Sequence, residues 1–147
     1  MTTQNSVEQV VVGVDGSAES VAALKWAARY ATATGAKVRA IIAWHFPAAA
    51  GPAPTGRAPA AISDEVREQM AEALSKAVAE GAPDLDVEQQ VAYGHPAQVL
   101  VDESEHADLI VVGNRGHGAF TSMMVGSVSM HCVTHALCPV VVVRGNG

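Results

Sequence analysis

A group of glycines in the last third of the sequence carries the strongest chemical signal. Gly113, Gly116 and Gly118 stand close together, and the pair Gly126-Ser127 follows further along the chain. Glycine lets the backbone approach a ligand closely and adopt positive φ angles, and successive amide N–H groups in such a loop bind anions. A helix that begins at Gly126-Ser127 adds free N–H groups and a positive dipole end. The spacing predicts a phosphate-binding loop.

Side chains near these glycines complement the backbone donors. Ser127 and Ser129 carry hydroxyl groups, and Arg115 and His117 are the nearby basic residues. The loop is not a P-loop, because no Gly-Lys-Ser or Gly-Lys-Thr occurs in the chain. It also departs from the dinucleotide fingerprint, since Thr121 stands where the third glycine would be. A flexible glycine loop that follows a strand and binds nothing is the alternative interpretation.

Composition limits the ligands and partners that we expect. The chain has 147 residues and a formal net charge of −6, which argues against a nucleic-acid partner, since such proteins present a basic face. Local dipoles, a few basic side chains or a metal must therefore hold any phosphate. The apolar runs are shorter than the roughly 20 residues of a membrane span, and the polar N-terminus lacks the basic segment of a signal peptide. We expect a cytoplasmic protein with no membrane association.

The elements that position the loop alternate between strand and helix. Apolar, β-branched runs predict five strands, at residues 10–14, 38–44, 87–93, 109–112 and 139–143. Start and stop signals predict four helices, from the N-cap Ser17 to Gly35, from Ser63 to Gly81, from Pro96 to about Glu105, and from about Ser127 to Ala136. Four prolines indicate that residues 46–62 form a mobile surface loop.

This alternation predicts a single α/β domain over about residues 8–145. The expected fold is Rossmann-like, with an open five-stranded parallel sheet in the order 3-2-1-4-5 and helices on both faces. Ligands of such sheets bind outside the carboxyl ends of the strands, where the winding direction switches. The loops that begin at Asp15 and at Gly113 are therefore expected to form the site.

Taken together, these motifs resemble the ATP-binding members of the universal stress protein family. The spacing Gly113-x₂-Gly116-x₉-Gly126-Ser127 is similar to their full nucleotide motif. Asp15 at the end of the first strand, the turn Gly94-His95-Pro96 and the closing strand up to Val143 resemble the rest of their frame, over about residues 8–145. Asn114 stands where serine is common, a departure that removes no phosphate contact.

The resemblance implies an ATP site and a role for each part of it. Asp15 and the backbone near Ala43 would face the adenine and ribose. The ribose and phosphates would be lined by Gly113, Arg115, Gly116 and His117, and the β- and γ-phosphates would be held by Gly126 to Ser129. Asp15 is interpreted either as a metal ligand or as a carboxylate of the turn that enters the first helix. Ser127 as a plain N-cap is compatible with phosphate binding. The implied site residues are Gly13, Val14, Asp15, Ala43, Val112, Gly113, Arg115, Gly116, His117, Gly118, Gly126, Ser127, Val128 and Ser129.

The same resemblance implies a nucleotide-dependent regulatory protein that binds ATP with Mg²⁺ or Mn²⁺. A slow ATP hydrolase and a binder of AMP or cAMP remain alternatives. No lysine follows Lys76 and no Gly-x-Ser-x-Gly elbow occurs, so we assign no catalytic residue. The pair Gly126-Ser127 favours a triphosphate, because a monophosphate would leave its donors unused. The regulatory partner is not identified by the sequence.

The last strand predicts a homodimer. Val140, Val141, Val142 and Val143 form a short apolar strand that the expected order places at an edge of the sheet. An open edge of this kind invites aggregation, and pairing with the same strand of a second copy would cover it. Universal stress proteins commonly dimerise in this way, which the resemblance adds.

Two further groups of residues receive structural interpretations. His131 and His135 share a helix face at the spacing that zinc sites use, but Cys132 points about 100° away from His131. We interpret the histidines as partly exposed helix residues and Cys132 as a core residue. Trp26 and Trp44 are interpreted as packing residues, with Trp44 at the border of the expected nucleotide pocket.

Overall fold

Five parallel strands form the centre of the protein. The computed structural model describes residues 7–44, 64–114 and 126–144. The strands are β1 (Gln9–Val14), β2 (Lys37–Trp44), β3 (Val87–Tyr93), β4 (Leu109–Gly113) and β5 (Val140–Val143), and the helices are α1 (Ala18–Thr34), α2 (Asp64–Gly81), α3 (Pro96–Glu103) and α4 (Ser127–His135). The sheet order is β3-β2-β1-β4-β5, which confirms the predicted fold and order.

The register of β1 defines where the winding of the chain changes direction. Val12 of β1 lies opposite Ala40 of β2 on one side and opposite Val111 of β4 on the other, and both pairings are parallel. From β1 the chain winds outward through β2 to β3, and it then crosses back to β4 and β5. The gap between the carboxyl ends of β1 and β4 is therefore the switch point at which α/β proteins of this kind bind ligands.

Local signals in the sequence determine the helix ends as expected. Ser17 is the N-cap of α1, and its hydroxyl oxygen accepts a hydrogen bond from Ser20 N. Gly35 ends the helix at φ 81°, and its N–H donates to Ala31 O at 2.7 Å. Pro96 stands in the first turn of α3, where its missing N–H has no cost. All three features depend on the chemistry of adjacent residues.

The helix α4 begins at Ser127, as expected, but its N-cap differs from the expectation. Gly126 is the N-cap, with φ −66° and ψ 164°, and Ser127 is the first helical residue. No side chain, including that of Ser127, makes a capping hydrogen bond at the start of this helix. The interpretation of Ser127 as an N-cap was therefore wrong by one residue.

Helices cover both faces of the sheet and bury two apolar layers. The first layer lies under α1 and α2 and includes Val12, Leu24 and Leu74. The second lies under α3 and α4 and includes Ile110 and Cys132. At about 25 cal/mol per Å² of apolar surface, such burial is the main favourable term in folding.

Cys132 is completely buried in the second layer, as its interpretation as a core residue predicts. Burial, and to a smaller extent the neighbouring thiol of Cys138, raises the pKa of the Cys132 thiol to about 11. The thiol therefore stays protonated at neutral pH. Trp26 also takes a packing role, since its ring stacks on Tyr30 with 5.3 Å between the centroids.

Some expectations concern parts of the chain that the structure does not describe. The predicted surface loop at residues 46–62 lies outside the described residues, and so does Ser63 before α2. Within the three described ranges, no helix has both the length and the hydropathy to span a bilayer.

Candidate functional site

A cavity of about 300 Å³ opens at the carboxyl ends of the strands, over the switch point between β1 and β4. The ends of β1, β2 and β4 form its floor, and the first turns of α1, α3 and α4 form its walls. Its volume is at the lower limit of the roughly 300–1,000 Å³ of small-molecule pockets. The lining residues are Gly13, Val14, Asp15, Ser17, Ser20, Ile41, Ala43, Pro96, Val99, Leu100, Val112, Gly113, Gly126, Ser127, Val128 and Ser129.

Every predicted site residue that the structure describes lines this cavity. They lie at or just beyond the carboxyl ends of three strands and at the start of one helix, and they are Gly13, Val14, Asp15, Ala43, Val112, Gly113, Gly126, Ser127, Val128 and Ser129. The remaining predicted residues, Arg115, Gly116, His117 and Gly118, lie outside the described residues. The fold thus brings the described part of the motif together, and its binding of a nucleotide stays a prediction.

The cavity has an apolar wall that was not predicted from the sequence. Ile41 lies two residues before Ala43 on β2, so the strand period of two could have placed both on the same face. Val99 and Leu100 come from α3, and no local signal marked them, because only the packing of α3 on the sheet brings them to the cavity. These side chains give the cavity a surface suited to a flat apolar ring.

An ion pair helps to hold α3 in place beside the cavity. The guanidinium of Arg39 on β2 donates to Glu103 Oε1 at the end of α3 at 2.6 Å, and to Gln90 Oε1 on β3 at 2.7 Å. The two charged side chains are about one-quarter exposed. The contact joins α3 to two strands and so positions the wall that carries Val99 and Leu100.

The starts of three helices contribute partial positive charge to the wall of the cavity. The first turns of α1, α3 and α4 all contribute lining residues, and the N-terminal end of a helix carries a partial positive charge. At α4 no side chain caps the first turn, so its N–H groups have no partner within the helix. Backbone donors in this arrangement bind anionic groups such as phosphates.

Asp15 is the charged residue of the cavity wall within the described part of the chain. Its Oδ1 accepts a hydrogen bond from Ser17 N at 2.9 Å, which fits its interpretation as the carboxylate of the turn into α1. A carboxylate oxygen is also a ligand that Mg²⁺ prefers. The geometry therefore keeps both interpretations of Asp15 open.

The hydroxyl of Ser129 does not serve as the expected ligand donor. It donates to Gly113 O at 2.5 Å, and Ser129 is 2% exposed. A carbonyl at the buried end of a strand requires a donor, and Ser129 supplies it. The side chain thus attaches α4 to β4, and in this structure its proton is not available as the hydroxyl donor that was expected at Ser129.

Gly113 has a packing role that was not expected from the sequence. The glycines of this loop are expected to adopt positive φ, but Gly113 does not, since the described glycines with positive φ are Gly16, Gly35 and Gly94. A Cβ atom on Gly113 would lie 2.8 Å from the backbone of Glu19 in α1. Glycine is required here because the end of β4 packs directly against the first turn of α1.

The two chain ends that flank residues 115–125 are joined by a backbone hydrogen bond. Gly126 N donates to Asn114 O at 2.7 Å, and Asn114 N donates to Val143 O at the end of β5, also at 2.7 Å. The start of α4 is therefore fixed relative to β4 and β5. This contact holds Gly126 at the cavity.

Trp44 was expected to border the cavity, but it is not among the lining residues. It follows Ala43 on β2, so its side chain points to the opposite face of the sheet. Its ring instead contacts Tyr93 on β3, with 5.2 Å between the ring centroids.

The rings of His131 and His135 lie near each other on α4, with 4.5 Å between their centroids. Cys132 points into the core instead of joining them. Over the described ranges, no group of three or more His, Cys, Asp or Glu side chains is arranged to hold a metal ion.

Comparison with protein families gives a match over nearly the whole chain. A model described as the universal stress protein family matches residues 6–144. A universal stress protein of Mycolicibacterium smegmatis is 33% identical over 150 residues, which cover 93% of this chain and 48% of that protein. The universal stress protein Rv2005c of Mycobacterium tuberculosis is 36% identical over 141 residues, which cover 92% and 45%. The chain thus spans about half the length of these curated relatives.

A solved structure agrees in fold over nearly its full length. It is a universal stress protein in complex with cAMP, 29% identical to this chain, with a TM-score of 0.64. The match covers 95% of this chain and 98% of that one.

Proposed function

Since this chain belongs to the universal stress protein family, we propose that it is a nucleotide-dependent regulatory protein that binds ATP in the cavity between β1 and β4. One observation carries the proposal. The described residues of the glycine motif line a cavity at the switch point, next to a helix start that has no side-chain cap. Occupation by ATP would set the conformation of the protein or its choice of partner in a stress response, which we expect to occur in the cytoplasm.

The two halves of the cavity suit the two halves of a nucleotide. Ile41, Val99 and Leu100 offer an apolar surface for the adenine, beside the backbone of Ala43. The start of α4, from Gly126 onward, offers N–H donors for the phosphates. The solved relative that is in complex with cAMP supports an adenine nucleotide as the class of ligand.

We propose that a divalent cation, Mg²⁺ or Mn²⁺, accompanies ATP. The whole chain carries a net charge of −6, and the charged side chain in the described cavity wall is the carboxylate of Asp15. A triphosphate placed beside that carboxylate needs positive charge in addition to helix dipoles. Asp15 together with phosphate oxygens provides the hard oxygen ligands that Mg²⁺ prefers, and the cation would neutralise charge between them.

A cyclic or simple monophosphate is the second candidate ligand. The complex of the relative with cAMP favours it, and the volume of about 300 Å³ is small for a pocket. A monophosphate would leave part of the start of α4 unused, and for this reason we place ATP first.

Titration calorimetry of the wild-type chain with ATP, AMP and cAMP tests this proposal. In the presence of Mg²⁺ we expect ATP to bind at least about tenfold more tightly than AMP, which corresponds to about 1.4 kcal/mol. Addition of EDTA should lower the ATP affinity by about tenfold or more, because the charge of the phosphates is then less well compensated. AMP affinity should change little and serves as the control.

Three results would contradict parts of the proposal. If none of the nucleotides binds, the cavity is not a nucleotide site. If cAMP binds more tightly than ATP, the second candidate is correct. If EDTA leaves the ATP affinity unchanged, the protein alone compensates the charge of the phosphates and the cation is not required.

A further inference from the structure

Three serine hydroxyls are buried in the wall of the cavity. Ser17 is 7% exposed, Ser20 is 3% exposed and Ser129 is 2% exposed, and all three line the cavity. A hydroxyl has one proton to donate, and buried polar groups normally find a hydrogen-bond partner. The acceptor of each proton therefore shows which hydroxyls are structural.

Two of these hydroxyl groups donate their protons to backbone carbonyls. Ser20 Oγ donates to Ser17 O at 2.9 Å, within the first turn of α1. Ser129 Oγ donates to Gly113 O at 2.5 Å and so connects α4 to β4. Neither side chain has a proton left to donate to a ligand.

Ser17 differs from the other two. Its Oγ accepts the N–H of Ser20 at 3.2 Å, which is its capping role. Within the described part of the chain, no acceptor receives the proton of this hydroxyl. Among the described residues, Ser17 thus presents a buried donor in the cavity wall for which no acceptor is found.

The position of Ser17 favours an anionic oxygen as its acceptor. Ser17 caps α1, a helix of 17 residues, whose start carries partial positive charge. The first turn of α1 packs on Gly113, as the 2.8 Å approach of a Cβ atom there to the Glu19 backbone shows. Ser129 of α4 binds the carbonyl of the same Gly113. The positive ends of α1 and α4 therefore both lie beside the end of β4.

We propose that the hydroxyl of Ser17 binds a phosphate oxygen of the nucleotide beside the end of β4, next to which the starts of both α1 and α4 lie. The inference rests on the proposed function, because it assigns a further ligand residue to the same cavity. It gives Ser17 two roles, since the oxygen caps α1 while the proton is donated to the ligand. The start of α1 thereby becomes a second phosphate-binding element opposite α4.

Three substitutions at this position separate the two roles. Ser17→Ala removes both the cap and the donor, and it should lower the melting temperature by several degrees. Ser17→Asp keeps an N-cap acceptor but replaces the donor by a negative charge. Ser17→Thr keeps the cap and the donor. Melting temperatures identify any variant that does not fold.

The readout is the affinity for ATP compared with that for adenosine, measured by calorimetry with Mg²⁺ present. We expect Ser17→Ala to lower the ATP affinity about fivefold to tenfold and Ser17→Asp to lower it more than tenfold. The adenosine affinity should change less than about twofold in both, since adenosine has no phosphate. Ser17→Thr should retain the ATP affinity of the wild type within about threefold.

The outcomes distinguish this inference from the proposed function. If wild-type protein binds ATP and both Ser17→Ala and Ser17→Asp bind it equally well, the hydroxyl is only a cap and the inference is wrong. If ATP and adenosine lose affinity equally, the donor faces the nucleoside and the phosphate assignment is wrong. If wild-type protein binds no nucleotide, the proposed function itself fails, and the inference fails with it.

Discussion

Gly113→Ala is expected to lower the free energy of unfolding by about 3 kcal/mol, the upper end of the usual cost of overpacking a tight site. The added Cβ would lie 2.7 Å from Glu19 Cβ and 2.8 Å from its backbone carbon and oxygen. A backbone cannot move aside as the end of a flexible side chain does, so the first turn of α1 or the end of β4 must shift. The midpoint of urea denaturation, with the slope m as a check on two-state unfolding, measures the loss.

Gly126→Ser is the matched control within the same motif. Gly126 has φ −66° and ψ 164°, a conformation that any residue adopts, and serine is a preferred N-cap. We expect the free energy of unfolding to stay constant or to rise by up to about 1 kcal/mol. The ATP affinity should fall at least about tenfold, because the new side chain enters the cavity where the phosphates would bind.

Comparison of Gly113→Ala with Gly126→Ser distinguishes a glycine required for packing from a glycine required for ligand binding. Equal stability of Gly113→Ala and wild type would show that the contact with Glu19 relaxes at little cost. Undiminished ATP affinity of Gly126→Ser would show that the phosphates do not approach the start of α4, which would contradict the placement of ATP that we propose.

The edge of β5 that no described strand covers leads to the second large expected effect. β4 pairs with one side of β5, and the carbonyls of Pro139 and Val143 accept hydrogen bonds from Ile110 N and Asn114 N of that side. Because alternate residues of a strand point their backbone groups to opposite sides, Val140 and Val142 direct theirs to the open edge. We propose that the β5 strand of a second copy pairs with these groups and forms a two-fold symmetric homodimer.

Val142→Pro should convert this dimer to a monomer at 100 µM, a concentration at which even a dimer with a dissociation constant of about 10 µM is mostly assembled. Proline removes the N–H that faces the partner and leaves the hydrogen bonds to β4 intact. Val142→Thr, which has nearly the same shape and keeps the N–H, is the control and should remain a dimer. Sedimentation velocity measures both.

Val141 is a poor position for this test, since its N–H faces β4 and a proline there would break the sheet. If the wild type already sediments as a monomer at 100 µM, pairing through β5 is wrong. Retention of the dimer by Val142→Pro would place the interface on another surface.

The sequence predicted those features that depend on adjacent residues. The cap at Ser17, the end of α1 at Gly35 and the first turn of α3 at Pro96 each follow from the chemistry of one short segment. The alternation of apolar runs with capped helices was sufficient for the strand order, because parallel strands with crossover helices permit few topologies. The position of the cavity followed from that order.

Features that depend on distant contacts were missed or interpreted incorrectly. The hydroxyl of Ser129 donates to the carbonyl of Gly113, a residue 16 positions earlier in the chain. Gly113 in turn packs against Glu19, which lies in the other half of the chain. Val99 and Leu100 reach the cavity only because Arg39 and other contacts hold α3 on the sheet. A pattern of residue types contains no distances, so these interactions could not be deduced from it.

The burial of Cys132 makes this thiol a reporter of how often the protein opens. Alkylating reagents react with the thiolate, and a thiol with a pKa of about 11 and no exposed surface is protected from them as long as α4 stays on the sheet. The rate at which Cys132 is labelled therefore measures the frequency of transient detachment of α4. A nucleotide that binds to the start of α4 should slow this labelling, and the delay would give the coupling between ligand binding and local opening.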